Sequence, residues 1–231
     1  MNTRRIEIYS PYERIWHWFQ AAAILLLIVT GIAIHSPDRF GMVPFLWAVR
    51  IHNVLGFLVL GNAFLGLFYY VTTGTIRQHL PEPRDFVSLS VRQASYYLRG
   101  MFRGESHPLE KSPQRRLNPL QQVTYMTILN VLLPLQLTTG LLMWSGQRWP
   151  QAVAAIGGLS VLALIHTLGA WLFATFIVVH VYLTTTGTTP LAHLKAMILG
   201  YEETDDAEEV SEKATTSQAQ SEVRELVRSE A

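Results

Sequence analysis

An all-α integral membrane protein, a four-helix bundle with an amphipathic interfacial helix in a cytoplasmic loop, is the fold class predicted by this 231-residue sequence. Three observations predict it. Hydrophobic residues make up 49% of the chain and charged residues only 15%, the balance of a chain that lives in lipid. The apolar residues fall in four runs long enough to cross a bilayer. The charges are concentrated in alternate connections between those runs.

Residues 1–14 are polar and carry Arg4, Arg5 and Arg14. The first span runs over about 15–35. A basic start before an apolar run also occurs in signal peptides. This run is long for one, and no small-x-small cleavage site precedes His35-Ser-Pro-Asp38. A short loop with two prolines leads to the second span, about 51–73. Residues 74–118 then form a basic loop holding Arg77, Arg84, Arg92, Arg99, Arg103, Lys111, Arg115 and Arg116. Within it, Phe86 to Leu98 alternates apolar and polar residues near helical spacing, as an interfacial helix does. The third span is about 123–144, and Pro134 inside it predicts a kink. The fourth is about 159–186, after Gly157-Gly158. Residues 1–200 thus form one membrane domain. Residues 201–231 turn acidic and rich in Ser, Thr and Ala, which predicts a solvated cytoplasmic tail, disordered or weakly helical.

Segments 1–14, 74–118 and 187–231 hold 3, 8 and 4 of the 18 basic residues, against Arg39, Arg50 and Arg148 in the two opposite loops. The positive-inside rule therefore puts both termini in the cytoplasm and the chain in the cell's inner membrane. Trp47, Trp144 and Trp149 suit an outer aromatic belt, and Trp16 and Trp18 an inner one. A net charge of +1 gives no reason to expect nucleic acid. The absence of cysteine excludes disulfides, thiolate-held iron–sulfur clusters and Cys-x-x-Cys-His haem attachment within this chain.

Histidines inside the apolar runs point to the chemistry. His166 and His180 lie fourteen residues apart in span four, so both leave one helix face, about 21 Å apart along the axis. His17 begins span one at the cytoplasmic side, and His52 begins span two at the outer side. Two levels result: His17 with His180, and His52 with His166. Gly31 and Gly66 fall fourteen residues after His17 and His52, where a missing side chain would clear the edge of a flat macrocycle. One buried imidazole is as often an interhelical hydrogen-bonding residue as a ligand. Four at paired depths suit two haems b, each held by two histidines. Two histidines per level do not complete a tetrahedral zinc or copper site. His35, His79, His107 and His193 lie at span ends or in loops and read as interfacial or solvated. Arg14 and Arg50 lie near His17 and His52, where each could pair a haem propionate or simply anchor the interface.

Arg14-x-x-His17-Trp18, Thr30-Gly31, His52-x-x-x-Gly56, Asn118-Pro-Leu-Gln121, Thr139-Gly140 and His166 through His180-Val-Tyr182 follow one another in order. Over residues 10 to about 195 the chain resembles the di-haem cytochrome b subunits of respiratory membrane enzymes. These are the gamma subunit of formate dehydrogenase, the b-type cytochrome of uptake nickel–iron hydrogenase and the cytochrome b of thiosulfate reductase. The resemblance implies the same histidine pairing. It also implies a quinone site at the cytoplasmic-side haem, with Asn118, Gln121 and His180 facing the quinone carbonyl. Asn118 equally suits a helix N-cap before Pro119. The expected function is an electron-transfer subunit between a catalytic iron–sulfur partner, such as a formate dehydrogenase or hydrogenase, and the quinone pool (menaquinone or ubiquinone). The partner would dock outside, electrons would cross inward to quinone, and the reverse flow would use the same parts. One alternative is a stand-alone di-haem cytochrome b that oxidises superoxide or another small reductant. Another is a membrane anchor without haem. No inverted repeat suggests a transporter.

Overall fold

The computed structural model describes residues 3–39, 43–76, 86–100, 103–105, 118–186 and 189–205. Most of the basic loop, with His79 and His107, lies outside the described residues, as does 206–231. The described elements are strand β1 (Thr3–Glu7), helices α1 (Pro11–His35), α2 (Phe45–Thr72), α3 (Phe86–Ser95, continued by a π turn at Tyr96–Gly100), α4 (Pro119–Trp144), α5 (Pro150–Ala155), α6 (Gly158–Thr184) and α7 (Ala192–Leu199), and strand β2 (Tyr201–Asp205). The chain divides into two units, Ile15–Leu183 and Met1–Arg14 with Thr184–Ala231.

The first unit is a helical bundle. Helices α1, α2, α4 and α6 have 25, 28, 26 and 27 residues and are long and apolar enough to cross a membrane. At 1.5 Å per residue each reaches past a hydrocarbon core of roughly 30 Å. Large apolar side chains face outward, among them Phe64 at 68% and Val178 at 70% exposure. Such a surface is stable only against lipid. The inside is a thin apolar layer of Ala23, Val59, Leu132, Leu133 and Phe173, flanked by Leu27, Ile28, Leu55 and Leu137.

Local chemistry sets where the helices start and stop. Ser10 and Glu13 close a capping box: the Glu13 amide donates to Ser10 Oγ at 3.3 Å, and the Ser10 amide to Glu13 Oε2 at 2.8 Å. Pro11 follows as the first helical residue, where its missing N–H costs nothing. Asn118-Pro119-Leu120-Gln121 repeats the device at the start of α4. The turn from α5 into α6 uses Gly157 and Gly158 at φ of +99° and +85°, a region that residues with a Cβ avoid.

Helix α4 is interrupted by a π turn at Ile128–Leu132, just before Pro134. Proline has no N–H for the carbonyl four residues back, and its ring crowds that carbonyl. A π turn absorbs one extra residue and widens the helix there. The feature expected at Pro134 is thus a π turn immediately upstream of it. Helix α3 presents Val87, Val91 and Leu98 outward along one face, while Gln93 is fully buried.

In the second unit, β1 and β2 pair antiparallel with Thr3 opposite Asp205 and Glu7 opposite Tyr201. The Arg5 guanidinium lies 4.6 Å from the centre of the Tyr201 ring. Tyr201–Asp205, expected as the start of a disordered tail, is therefore a strand. Its partner is the chain's opposite end, so nothing local in an acidic segment announces it.

Candidate functional site

The bundle brings four half-buried histidines together in two pairs. His17 of α1 faces His180 of α6, with ring centroids 6.2 Å apart and planes at 48°. His52 of α2 faces His166 of α6, again at 6.2 Å, with planes at 67°. Helix α6 thus supplies one ring to each pair, and Phe173, midway between its histidines, belongs to the apolar layer separating them.

A separation of about 6 Å has a chemical meaning. A metal–imidazole bond of about 2 Å, plus about 1 Å from ring nitrogen to ring centre, counted on both sides, adds up to about 6 Å. The 6.2 Å spacing thus matches the room that one metal ion between two imidazoles would take. Among the described residues no group of three or more His, Cys, Asp or Glu could complete a coordination sphere. A metal held there would have to bring its further ligands with it, as the iron of a porphyrin does.

Hydrogen bonds decide which nitrogen of each ring is available. The Thr30 hydroxyl donates to the Leu26 carbonyl at 2.8 Å, with the Leu27 carbonyl at 3.2 Å. With its one proton on a carbonyl, the hydroxyl oxygen keeps its lone pairs for a donor. At 2.9 Å from His52 Nδ1, the Thr30 oxygen is placed to accept from the ring. His52 therefore carries its proton on Nδ1 and leaves an Nε2 lone pair. Thr139 does the same on α4: its hydroxyl donates to the Leu135 carbonyl at 2.8 Å and accepts from His166 Nδ1 at 2.8 Å. Both threonines are buried. At the other level, His17 Nδ1 is buried without a hydrogen-bond partner among the described residues.

The glycines after the threonines let the rings approach. A Cβ on Gly31 would lie 3.4 Å from His52 Cε1, and one on Gly140 would lie 3.2 Å from His166 Cε1. At Gly66 the space goes to the Trp16 indole, which would sit 2.5 Å from a Cβ. The clearance expected for a macrocycle edge at Gly31 and Gly66 is taken by these side chains. Thr30-Gly31 and Thr139-Gly140 are one device used twice, each holding a histidine of the following long helix. Thr30 lies 20 residues after Ser10, and Thr139 lies 21 after Asn118. The π turn in α4 accounts for the extra residue. The signal for the threonines was present in the sequence as a repeated dipeptide, but only as a motif without a role.

The remaining candidates are placed as follows. The Gln121 amide donates to Asn118 Oδ1 at 2.8 Å, and the Asn118 amide to Gln121 Oε1 at 3.1 Å. Asn118 Nδ2 donates to the Tyr97 hydroxyl at 3.1 Å. Burial pushes the Tyr97 phenol up from its ordinary pKa, against the opposing hydrogen bonds from Asn118 and Gln93, so the phenol stays neutral. The box leaves Gln121 Nε2 as its unengaged amide donor. Tyr125 meets Phe176 edge-on at 6.4 Å, and Phe176 stacks on His180 at 5.3 Å. Gln121 is one turn before Tyr125, and His180 one turn after Phe176. In antiparallel helices those two steps lead toward the same end. Arg14 donates from Nη1 to the Ile198 carbonyl at 2.7 Å, at the C-terminal turn of α7. Arg50 lies 5.4 Å from the centre of the Trp47 ring and is exposed; two residues before His52, it leaves the helix about 200° away. His193 Nδ1 lies 3.3 Å from the Thr184 carbonyl.

Comparison with known proteins adds the following. A family model described as prokaryotic cytochrome b561 matches residues 8–200. The chain is 36% identical over 200 residues to an Escherichia coli K12 protein named "Putative cytochrome YdhU", covering 85% of this chain and 74% of that one. It is 26% identical over 193 residues to the "Probable Ni/Fe-hydrogenase B-type cytochrome subunit" of Cupriavidus necator, covering 76% and 77%. It is also 26% identical over 187 residues to the formate dehydrogenase cytochrome b556 subunit of Haemophilus influenzae, covering 79% and 71%.

Proposed function

The chain belongs to the prokaryotic cytochrome b561 family, and from that premise we propose that it is a di-haem membrane subunit joining a catalytic iron–sulfur partner to the quinone pool. The family makes haem b its cofactor. One haem b at each histidine pair supplies a group that takes up and releases single electrons reversibly. The observation that carries the proposal is the pair of 6.2 Å imidazole gaps at opposite ends of one helix. His17 and His180 would hold one haem iron and His52 and His166 the other. Relatives named as hydrogenase and formate dehydrogenase subunits support a catalytic partner. Iron–sulfur clusters must lie in that partner, because this chain has no cysteine.

Quinone binds at the end of the bundle where α4 begins. Asn118 holds the box rigid, Gln121 Nε2 donates to a quinone carbonyl, and His180 lies at the same level. Both termini are on the cytoplasmic side of the inner membrane, as the distribution of basic residues supports.

Two measurements test the proposal. A quinol added to membranes containing the chain should reduce the haem and raise the reduced b-type band, and an affinity-tagged chain should retain an iron–sulfur protein on purification. Gln121→Leu should slow that reduction on the order of tenfold, the factor carried by about 1.4 kcal/mol, a typical net hydrogen bond. Failure of every quinol to reduce the protein would remove the quinone role. Purification of a fully active chain with no partner would favour the stand-alone cytochrome.

A further inference from the structure

We infer that Thr30 and Thr139 are positioning residues that set the redox potential at the His52–His166 level. Each threonine is the middle of a three-member relay, carbonyl to hydroxyl to imidazole. The Leu26 carbonyl accepts from Thr30, which accepts from His52; the Leu135 carbonyl accepts from Thr139, which accepts from His166. Bonds in such a chain polarise one another and strengthen where water is absent. The inference rests on the haem proposal above.

The sign follows from the chemistry of the ring. An Nδ1–H that donates to a polarised oxygen gives the imidazole more of the character of its anion and makes Nε2 a stronger electron donor. A stronger donor stabilises ferric iron over ferrous iron, so the potential falls. The relays therefore hold the potential at this level lower than the same two histidines would without them. They also fix ring orientation, because Gly31 and Gly140 leave each ring lodged against the helix that carries its threonine. The other level is built differently: His17 Nδ1 is buried with no acceptor among the described residues. One chain thus applies a ligand-strengthening device at one end of the bundle to both of its ligands.

Valine replaces threonine with nearly the same shape and no hydroxyl, whereas serine keeps the hydroxyl. The test is made in the full chain carrying His17→Ala and His180→Ala, so that the one remaining haem belongs to His52 and His166. Its midpoint potential is followed by spectroelectrochemical titration of the reduced b-type band. Thr30→Val with Thr139→Val should raise that potential, each single change should raise it less, and Thr30→Ser with Thr139→Ser should return it toward the parent value. Should the double valine variant lose the haem, the single changes carry the test: each must raise the potential, and serine at the same position must restore it. In the chain carrying His52→Ala and His166→Ala instead, the valine changes should leave the remaining potential where it was. An unchanged or lowered potential in the first background, or an equal rise in both, overturns the inference. Absence of any haem from the unsubstituted chain overturns the di-haem proposal itself, so the two failures are distinct.

Discussion

Gly66 shows how much one absent methyl group holds in place. The Trp16 indole fills that space and donates from Nε1 to the Asn62 carbonyl at 2.9 Å, while Asn62 Nδ2 donates to Gln20 at 2.7 Å. Polar bonds between helices in lipid contribute roughly 0.6–2 kcal/mol each. Gly66→Ala should expel the indole and break the first bond, for a loss of about 1–3 kcal/mol, the range for overpacking. Gly61, where a Cβ would meet nothing within 4 Å, is the control. Thermal unfolding in detergent should show a lower midpoint for Gly66→Ala than for Gly61→Ala. Equal midpoints would remove the packing role. The four paired histidines were legible because an imidazole in an apolar run demands a reason. Thr30 and Thr139 were not, because a threonine in a membrane helix usually satisfies itself by bonding its own backbone four residues back. Both do so here, and only the neighbouring helix reveals their second bond.

The two capped helices α1 and α4 are the elements that carry the repeated design. A Ser or Asn, then Pro, then Glu or Gln three residues on, starts the helix; a Thr-Gly pair about six turns later holds a histidine of its partner. Asn118→Ala removes both the cap acceptor for Gln121 and the donor to Tyr97. It should cost about 1 kcal/mol of stability, the usual loss for such a cap, and slow quinol reduction as well. A variant that loses stability with unchanged quinol reduction would separate the cap from the quinone role. Spans were readable in the sequence because twenty apolar residues have few other uses. The π turn was not, since Ile128–Leu132 is as apolar as its surroundings and only Pro134 hints at it. Nor was the pairing of Thr3–Glu7 with Tyr201–Asp205, where the partners lie some two hundred residues apart.

The bundle as a whole reads as a lipid-coated scaffold with an apolar layer in its middle and an imidazole pair toward either end. Phe173 anchors that middle, and Phe173→Ala should open a cavity costing on the order of 3 kcal/mol, seen as a lower thermal midpoint with both b-type bands retained. Reporter fusions to the two termini should both signal from the cytoplasm; both reporting from the opposite side would reverse the assignment of the levels, and one alone would contradict four spans. The most direct measurement is the haem content of purified chains in which histidines are removed in pairs. The unsubstituted chain should hold two haems b, and His17→Ala with His180→Ala one, as should His52→Ala with His166→Ala. The mixed pair His17→Ala with His52→Ala should hold none. Retention of one haem in that mixed variant, or its loss from both matched ones, would contradict the pairing on which the electron-transfer function depends.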